Sequence, residues 1–443
     1  MAETDRPEAT AREPRRARWT MPSPGYPPVE WLDAEMRRLL TFAEGSQAPG
    51  GFGDLDDNGR LRSDEPVRAW VSTRMTYCFA LGALVGRVGD AGRVDHGLAA
   101  LLPGGLLRDE VNGGWFSAVQ SGLSSRPHDQ RVVDPVKAAY AHAFVVLAAS
   151  AATVLGRPGA DSFLRDALAI VEEHFWDDHA GLVRESFTAD WSHEEAYRGA
   201  NANMHAVEAF LAAADALGEA GTAWRSRAGR IIERMVHGVA RDAGWRLPEH
   251  FTPDYVPIPE YNRDDRPHPF RPYGVTPGHL MEWSRLALHL RAAESAAGVP
   301  GPGWLLEDAK ALYRTAVEDG WAPDGAEGFV YTTDFDGMPV IRQRMHWVIT
   351  EAIGAAGALY QVTGEHAYAE DHKRWWTFAM EHHIDYDRGS WHAELDADLR
   401  PAHGTWHGKP DIYHALQATL VSRLPLAPMF AAALRDNRDT STA

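Results

Sequence analysis

A residue set near the start of an alanine-rich, apolar stretch recurs six times along the 443-residue chain: Arg74, Tyr140, His205, His279, Trp347 and His414. The successive intervals are 66, 65, 74, 68 and 67 residues. A second series keeps step with the first, a glycine followed by a bulky residue: Gly51-Phe52, Gly114-Trp115, Gly181-Leu182, Gly244-Trp245, Gly328-Phe329 and Gly389-Ser390-Trp391. Two series in phase define an internal repeat, and one such unit cannot bury its apolar face alone. If each unit is a helix pair and the six close into a ring, equivalent positions meet at the ring axis. One arginine, one tyrosine, three histidines and one tryptophan would converge there.

Two kinds of helix are expected to alternate. Segments 161–176, 222–240, 304–319 and 366–383 carry an apolar stripe and a charged face, as helices with one side in water do. Segments 135–155, 201–217, 277–296 and 344–362 are apolar nearly all round and rich in alanine, which suits burial on every side. A buried inner ring within an amphipathic outer ring is an all-α (α/α)6 barrel. The β-branched runs after the glycine–aromatic motifs predict short hairpins at one mouth. Residues 1–27 mix charge with proline and read as a mobile tail. Residues 28–435 read as one catalytic domain and 436–443 as an unanchored end.

The formal charge of −18, with no Lys/Arg cluster beside the convergent residues, argues against nucleic acid as a partner. Cys78 is the only cysteine, which excludes an intrachain disulfide and a thiolate metal cluster. No stretch approaches the roughly 18 apolar residues of a membrane span, and the N-terminus lacks the apolar run of a secretory signal. These features predict a cytoplasmic protein, monomeric or homodimeric. The 16 tryptophans supply aromatic faces of the kind that hold sugar rings.

The convergent residues are suited to proton transfer. Arg74 follows Trp70 at i,i+4, so both share a helix face. An arginine on an apolar helix needs a carboxylate, an anionic intermediate or water to meet it. Asn201, His205 and Glu208 lie on one face of the third inner helix, and His279 and Glu282 repeat the His-x-x-Glu spacing on the fourth. A carboxylate three residues on can orient an imidazole or raise its proton affinity. His346, Trp347 and Glu351 open the fifth helix, and Asp411 is a candidate N-terminal cap for the sixth. Paired His-x-x-Glu segments also suggest a di-iron site, but there the order is reversed and two further acids are required. No metal and no cofactor is expected: P-loop, dinucleotide and Schiff-base lysine motifs are all missing. Two imidazoles that take and return a proton, with a fixed cation where an oxyanion develops, fit 1,2 proton transfer on a monosaccharide.

Four motifs carry a resemblance: Trp70-x-x-x-Arg74; Arg198-Gly-x-Asn201-Ala-Asn-Met-His205-Ala-Val-Glu208-Ala-Phe; Tyr273-Gly-x-Thr-Pro-Gly-His279-x-x-Glu282-Trp; and Gly408-Lys-x-Asp411-Ile-Tyr-His414. From about Trp31 to about Pro428 the chain resembles the acylglucosamine 2-epimerase family of (α/α)6 barrels. Within that family it is most similar to aldose–ketose isomerases acting on mannose or sulfoquinovose. The resemblance implies that His279 and His414 are the acid–base pair, with Glu282 orienting His279. It implies that Trp70, Arg74, Tyr140, Asn201, His205 and Trp347, with Glu208 behind His205, form the sugar pocket. Sulfoquinovose isomerases place polar residues where this chain has Pro269 and Pro410. A neutral C6 hydroxyl is therefore expected, which favours D-mannose and D-fructose, with D-lyxose as a further substrate; Arg271 keeps a sulfonate in play. The rival readings are 2-epimerisation, a glycoside hydrolase using Glu282 and Glu208 as its carboxylate pair, and a non-catalytic sugar-binding protein.

Overall fold

Where the sequence is apolar on all sides, the chain forms helices buried on all sides. The computed structural model describes residues 25–121 and 131–442. In chain order its helices are α1 (Val29–Ala43), α2 (Ala69–Leu84), α3 (Asp90–Leu101), α4 (Ala139–Val154), α5 (Ala160–Ile170), α6 (Ala200–Leu217) and α7 (Thr222–Ile232). They continue with α8 (Pro277–Ala296), α9 (Trp304–Gly320), α10 (His346–Thr363), α11 (His366–Phe378), α12 (Tyr413–Val421) and α13 (Phe430–Thr442). The even-numbered helices pack each against the next, and α12 returns to α2 to close the ring. Helices α1, α3, α5, α7, α9 and α11 form the outer layer. This is the (α/α)6 barrel.

The two layers differ as their sequences require. In α5 the buried residues are Ala160, Phe163, Leu164, Ala167 and Leu168, one stripe at helical spacing. In α2 every residue is buried except Trp70, whose ring borders the central cavity. Helix α13 lies against α2, α4 and α6 at the end of the ring away from the convergent residues. Its approach is held where the Met429 amide donates to the Asp215 carboxylate at 2.6 Å.

The glycine–aromatic motifs are tight turns that steer the chain from an outer helix to the next inner one. Their acids hold the turns: Asp109 accepts the Val111 and Asn112 amides, Asp177 those of His179 and Ala180, and Asp385 those of Asp387 and Arg388. Asp109 also takes the buried Lys137 ammonium at 2.8 Å, and Asp385 takes Lys409 at 2.7 Å. Asp324 takes Arg344 at 2.6 Å. Each cation sits just ahead of an inner helix, those carrying Tyr140, His414 and Trp347. A buried charge persists only when paired, so these bridges define where the inner helices begin.

The hairpin expectation holds for Thr332–Thr333 with Pro339–Ile341. It holds also for Ala118–Val119 with Val132–Asp134, and single antiparallel bridges close the corresponding segments at Leu55 and Leu61, Phe187 and Glu194, Phe251 and Pro257, and Leu395 and Pro401. A second kind of pairing joins one unit to the next. Lys137–Ala138 pairs with Ser186–Phe187, Arg198–Gly199 with His250–Phe251, and Arg344–Met345 with Glu394–Leu395. The strand entering one inner helix thus joins the strand that leaves the following turn, so two-residue ladders stitch neighbouring units together. Strands this short carry no periodicity that names a partner.

Of the expected tail, residues 1–24 lie outside the described residues, and the Tyr26 hydroxyl meets the Met380 sulfur at 3.6 Å. Helix α13 continues to Thr442, through most of the segment read as an unanchored end. Among the described residues, no helix is long and apolar enough to cross a membrane.

Candidate active site

All six repeat residues sit in the first two turns of their inner helices and line one cavity of about 710 Å³. Trp70, Asn201 and Glu282 line it too, as do Pro269 and Pro410. Glu208 does not reach the wall. It lies beneath His205, where the Tyr413 hydroxyl donates to one carboxylate oxygen and the Gln417 amide to the other at 2.7 Å.

Arg74 is the one Lys/Arg side chain among the described lining residues. Asp411 receives its Nη1 at 3.1 Å and the Tyr140 hydroxyl its Nη2 at 2.8 Å. Its Nε is buried without a hydrogen-bond partner, a donor left for an incoming group. The guanidinium lies 4.3 Å from the Phe144 ring centre and 5.2 Å from that of Trp70. Burial opposes its charge, but Tyr140 and Asp411 outweigh burial and hold the proton on. Burial pushes the Tyr140 hydroxyl up to about 12, against the pull of Arg74. Asp411 also accepts the Tyr413 amide at 2.8 Å, so it secures the first turn of α12 as well as the arginine.

His279 and His414 both border the cavity, and both hold a carboxylate at Nδ1. For His279 the partner is Glu249, 2.9 Å away, and not the expected Glu282. For His414 it is Glu351, at 3.1 Å. The Trp347 ring lies between the imidazoles, 5.0 Å from one ring centre and 6.0 Å from the other. Burial, then Arg74 and His346, push His414 well below the ordinary histidine range. Burial likewise takes His205 down to about 4, against the pull of Glu208. Neutral imidazoles therefore face the cavity at these two positions at pH 7.

The i,i+3 reading is corrected for His279 and Glu282 by side-chain direction, whereas Glu208 stays beside His205 and raises its proton affinity against burial. His279 turns outward to a loop while Glu282 points inward to the floor. His205 Nδ1 has no hydrogen-bond partner and lies 3.8 Å from both Glu208 and Glu282. Neither oxygen of Glu282 has a hydrogen-bond partner, and Arg285 Nη2 is 3.6 Å distant. Three buried carboxylates (Glu208, Glu282 and Glu351) surround the single Arg285 guanidinium, whose Nε bonds Glu351 at 2.9 Å. Burial, then the Glu351 charge, push Glu282 well above the usual carboxylate range, and burial raises Glu351 as well, against the pull of Arg285. His205, Glu208 and Glu282 offer ligand atoms within 4.8 Å of one another. Glu208 already has a donor on each oxygen, however, and Arg285 supplies the counter-charge a cation would bring.

Sequence reasoning missed Glu249, and also Tyr331, Phe270 and Trp406 on the cavity wall. Phe270 and Trp406 meet Trp70 edge-on with ring centres 5.9 and 6.3 Å away, an aromatic rim at the mouth. A signal for Glu249 did exist. Ser117, Glu185, Glu249, Tyr331 and Ala393 each fall three to five residues after a motif glycine. Of these, Ser117, Glu185, Glu249 and Ala393 accept, through the carbonyl, the amide at the start of an inner helix.

A family model described as N-acylglucosamine 2-epimerase (GlcNAc 2-epimerase) matches residues 50–418. The chain is 51% identical over 407 residues to a D-mannose isomerase of Thermobifida fusca, covering 91% of this chain and 96% of that one. It is 47% identical to a D-mannose isomerase of Pseudomonas cannabina pv. alisalensis, covering 91% and 95%. A crystal structure of a D-mannose isomerase superposes with a TM-score of 0.80 at 27% identity, covering 89% of this chain and 97% of the other.

Proposed function

This chain belongs to the N-acylglucosamine 2-epimerase family and is an aldose–ketose isomerase, and from that premise we propose that it interconverts D-mannose and D-fructose through a cis-enediolate. The observation that carries the mechanism is the pair His279 and His414, each tied to a carboxylate at Nδ1, in one cavity with a buried arginine. An ionised carboxylate only accepts hydrogen bonds, so Nδ1–H donates and Nε2 presents its lone pair to the cavity.

Mannose binds among Trp70, Tyr140, Asn201 and Trp347. His279 assists ring opening by handling the hydroxyl proton. His414 removes the C2 proton, and Arg74, with His205 nearby, stabilises the negative charge spread over O1 and O2. Preorganised donors of this kind are worth roughly 3–4 kcal/mol each in a dry site. A proton passes from O2 to O1, leaving O2 as the ketone oxygen, as His414 returns its own proton to C1 on the same face. A weakly basic imidazole beside Arg74 releases it readily. Neither step calls on a metal or cofactor.

Three features support a neutral C6 end. Pro269 and Pro410 offer it no side-chain donor. Arg271, the residue that kept a sulfonate in play, is spent on Glu195 at 2.7 and 3.0 Å and stacks on Tyr197. Arg74, the one lining cation among the described residues, is held by Asp411 and Tyr140. The hydrolase reading loses its carboxylate pair, since Glu208 and Glu282 lie side by side beneath the cavity instead of across a bond. Residues 28–435 as one catalytic domain, a cytoplasmic location and a monomeric or homodimeric state belong to the same proposal.

Incubation with mannose in D₂O, read by NMR, tests it: fructose should appear with deuterium at C1. Deuterium at C2 of an epimeric aldose would instead mean 2-epimerisation. Fructose formed with no solvent deuterium would overturn the proton shuttle, and preferred turnover of sulfoquinovose would overturn the substrate.

A further inference from the structure

The geometry points to Glu249 as the positioning residue for His279, the group that holds its imidazole in one tautomer and one orientation. This rests on the reading of His279 as one of the acid–base pair. Glu249 lies outside the four motifs, in the loop between α7 and α8.

Its placement is rigid. The Ala200 amide, at the start of the helix carrying Asn201 and His205, donates to the Glu249 carbonyl at 2.9 Å. The next residue, His250, pairs with Gly199 across the two-residue ladder. His250 is itself clamped on both ring nitrogens, to the Tyr197 hydroxyl at 2.7 Å and the Pro272 carbonyl at 2.8 Å. The side chain is 4% exposed, and its one hydrogen bond among the described residues is the 2.9 Å contact to His279 Nδ1.

The chemistry follows from that exclusivity. A carboxylate accepts and never donates, so Nδ1 must carry the proton and Nε2 must face the sugar. A carboxylate that no cation shares also favours the protonated imidazole more than one already neutralised by a guanidinium does. Glu351, the partner of His414, is shared in that way with Arg285. Among the described residues, His279 is therefore the member of the pair whose carboxylate is not shared with a guanidinium. The corresponding acid of the preceding unit, Glu185, faces Arg271 instead, 3.8 Å away.

Glu249→Ala, Glu249→Gln and His279→Ala test the assignment by steady-state kinetics on mannose and by NMR of ¹⁵N-histidine-labelled protein, His279 being identified by its loss in His279→Ala. Glu249→Ala should lower kcat by up to the roughly 10²–10⁴-fold a positioned acid–base group contributes. KM should change little, and the His279 nitrogens should leave the Nδ1–H pattern. Glu249→Gln keeps an acceptor of nearly the same shape, so the tautomer and much of kcat should be recovered. With the charge gone, the acid limb of its kcat/KM profile should move to lower pH. Should the alanine variant not fold, the glutamine variant carries the same test through that limb and the spectrum. Wild-type kcat in Glu249→Ala with an unchanged His279 spectrum would overturn the assignment alone, as would an unmoved acid limb in Glu249→Gln. Wild-type turnover in His279→Ala would instead remove the acid–base reading beneath it.

Discussion

His279 on α8 and His414 on α12 present the same group to the same cavity from either side of Trp347, yet they are held in opposite ways. His279 meets its acid on a loop, Glu249, whose side chain has no other hydrogen bond among the described residues. His414 meets its acid on the neighbouring inner helix, Glu351, deep in the floor and shared with Arg285. Near the first, no guanidinium or ammonium bonds the carboxylate among the described residues. Near the second, Arg285 cancels the carboxylate, while burial and Arg74 keep the imidazole neutral. An imidazole's role is set by what else its acid is holding.

The largest effect should come from removing either histidine. His279→Ala and His414→Ala should each lower kcat by roughly 10²–10⁴-fold with the circular dichroism spectrum unchanged. Near-normal turnover in either variant would break the pairing of the two sites. Next is the cation they share. Arg74→Met removes donors aimed at the developing charge and should cost roughly 10²–10³ in kcat. A variant altered only in KM would show that Arg74 binds substrate and transition state equally.

Stability should separate the two acids. Glu351→Ala removes the carboxylate to which the buried Arg285 guanidinium donates, with Glu282 and Glu208 still facing it, and should cost roughly 1.5–3 kcal/mol in denaturant unfolding. Glu249→Ala, which removes no partner of a guanidinium, should cost less. Equal losses would erase the distinction between a shared and an unshared carboxylate.

Acid should act on the barrel through its buried neutral histidines. Burial takes His142, His372 and His383 down to about 3, and His205 and His289 to about 4. The unfolded chain, with histidines near pH 6.5, binds protons that the folded chain refuses. Stability is therefore full above about pH 6.5 and falls as the pH drops toward 4. A melting temperature flat over that interval would contradict the burial of these groups. The smallest expected effect is none at all: EDTA followed by dialysis should leave turnover unchanged, since both dyads move only protons. Activity lost to chelation and restored by Mn²⁺ or Zn²⁺ would place a metal in the floor instead.

Much of this molecule was legible in its sequence because a repeat multiplies a weak signal. One histidine on an apolar helix says little, but six residues in step with six turn motifs specify a ring and its axis. Arg74, Tyr140, His205, His279, Trp347 and His414 meet in one cavity for that reason, and the helix periods announced which layer each segment would join. Sequence spacing says which residues share a helix face, but not which way each side chain turns. His279 and Glu282 share a face at i,i+3, yet one turns to a loop and the other to the floor. Glu249 could be found only by extending the repeat register into the turns. The two-residue ladders, the diversion of Arg271 to Glu195 and the sharing of Glu351 with Arg285 depend on contacts between units far apart in the chain. Local periodicity determined the barrel and the ring of candidates. The tertiary structure alone decided which acid each histidine holds, because in a buried site that choice turns on distances of an ångström between side chains from different units.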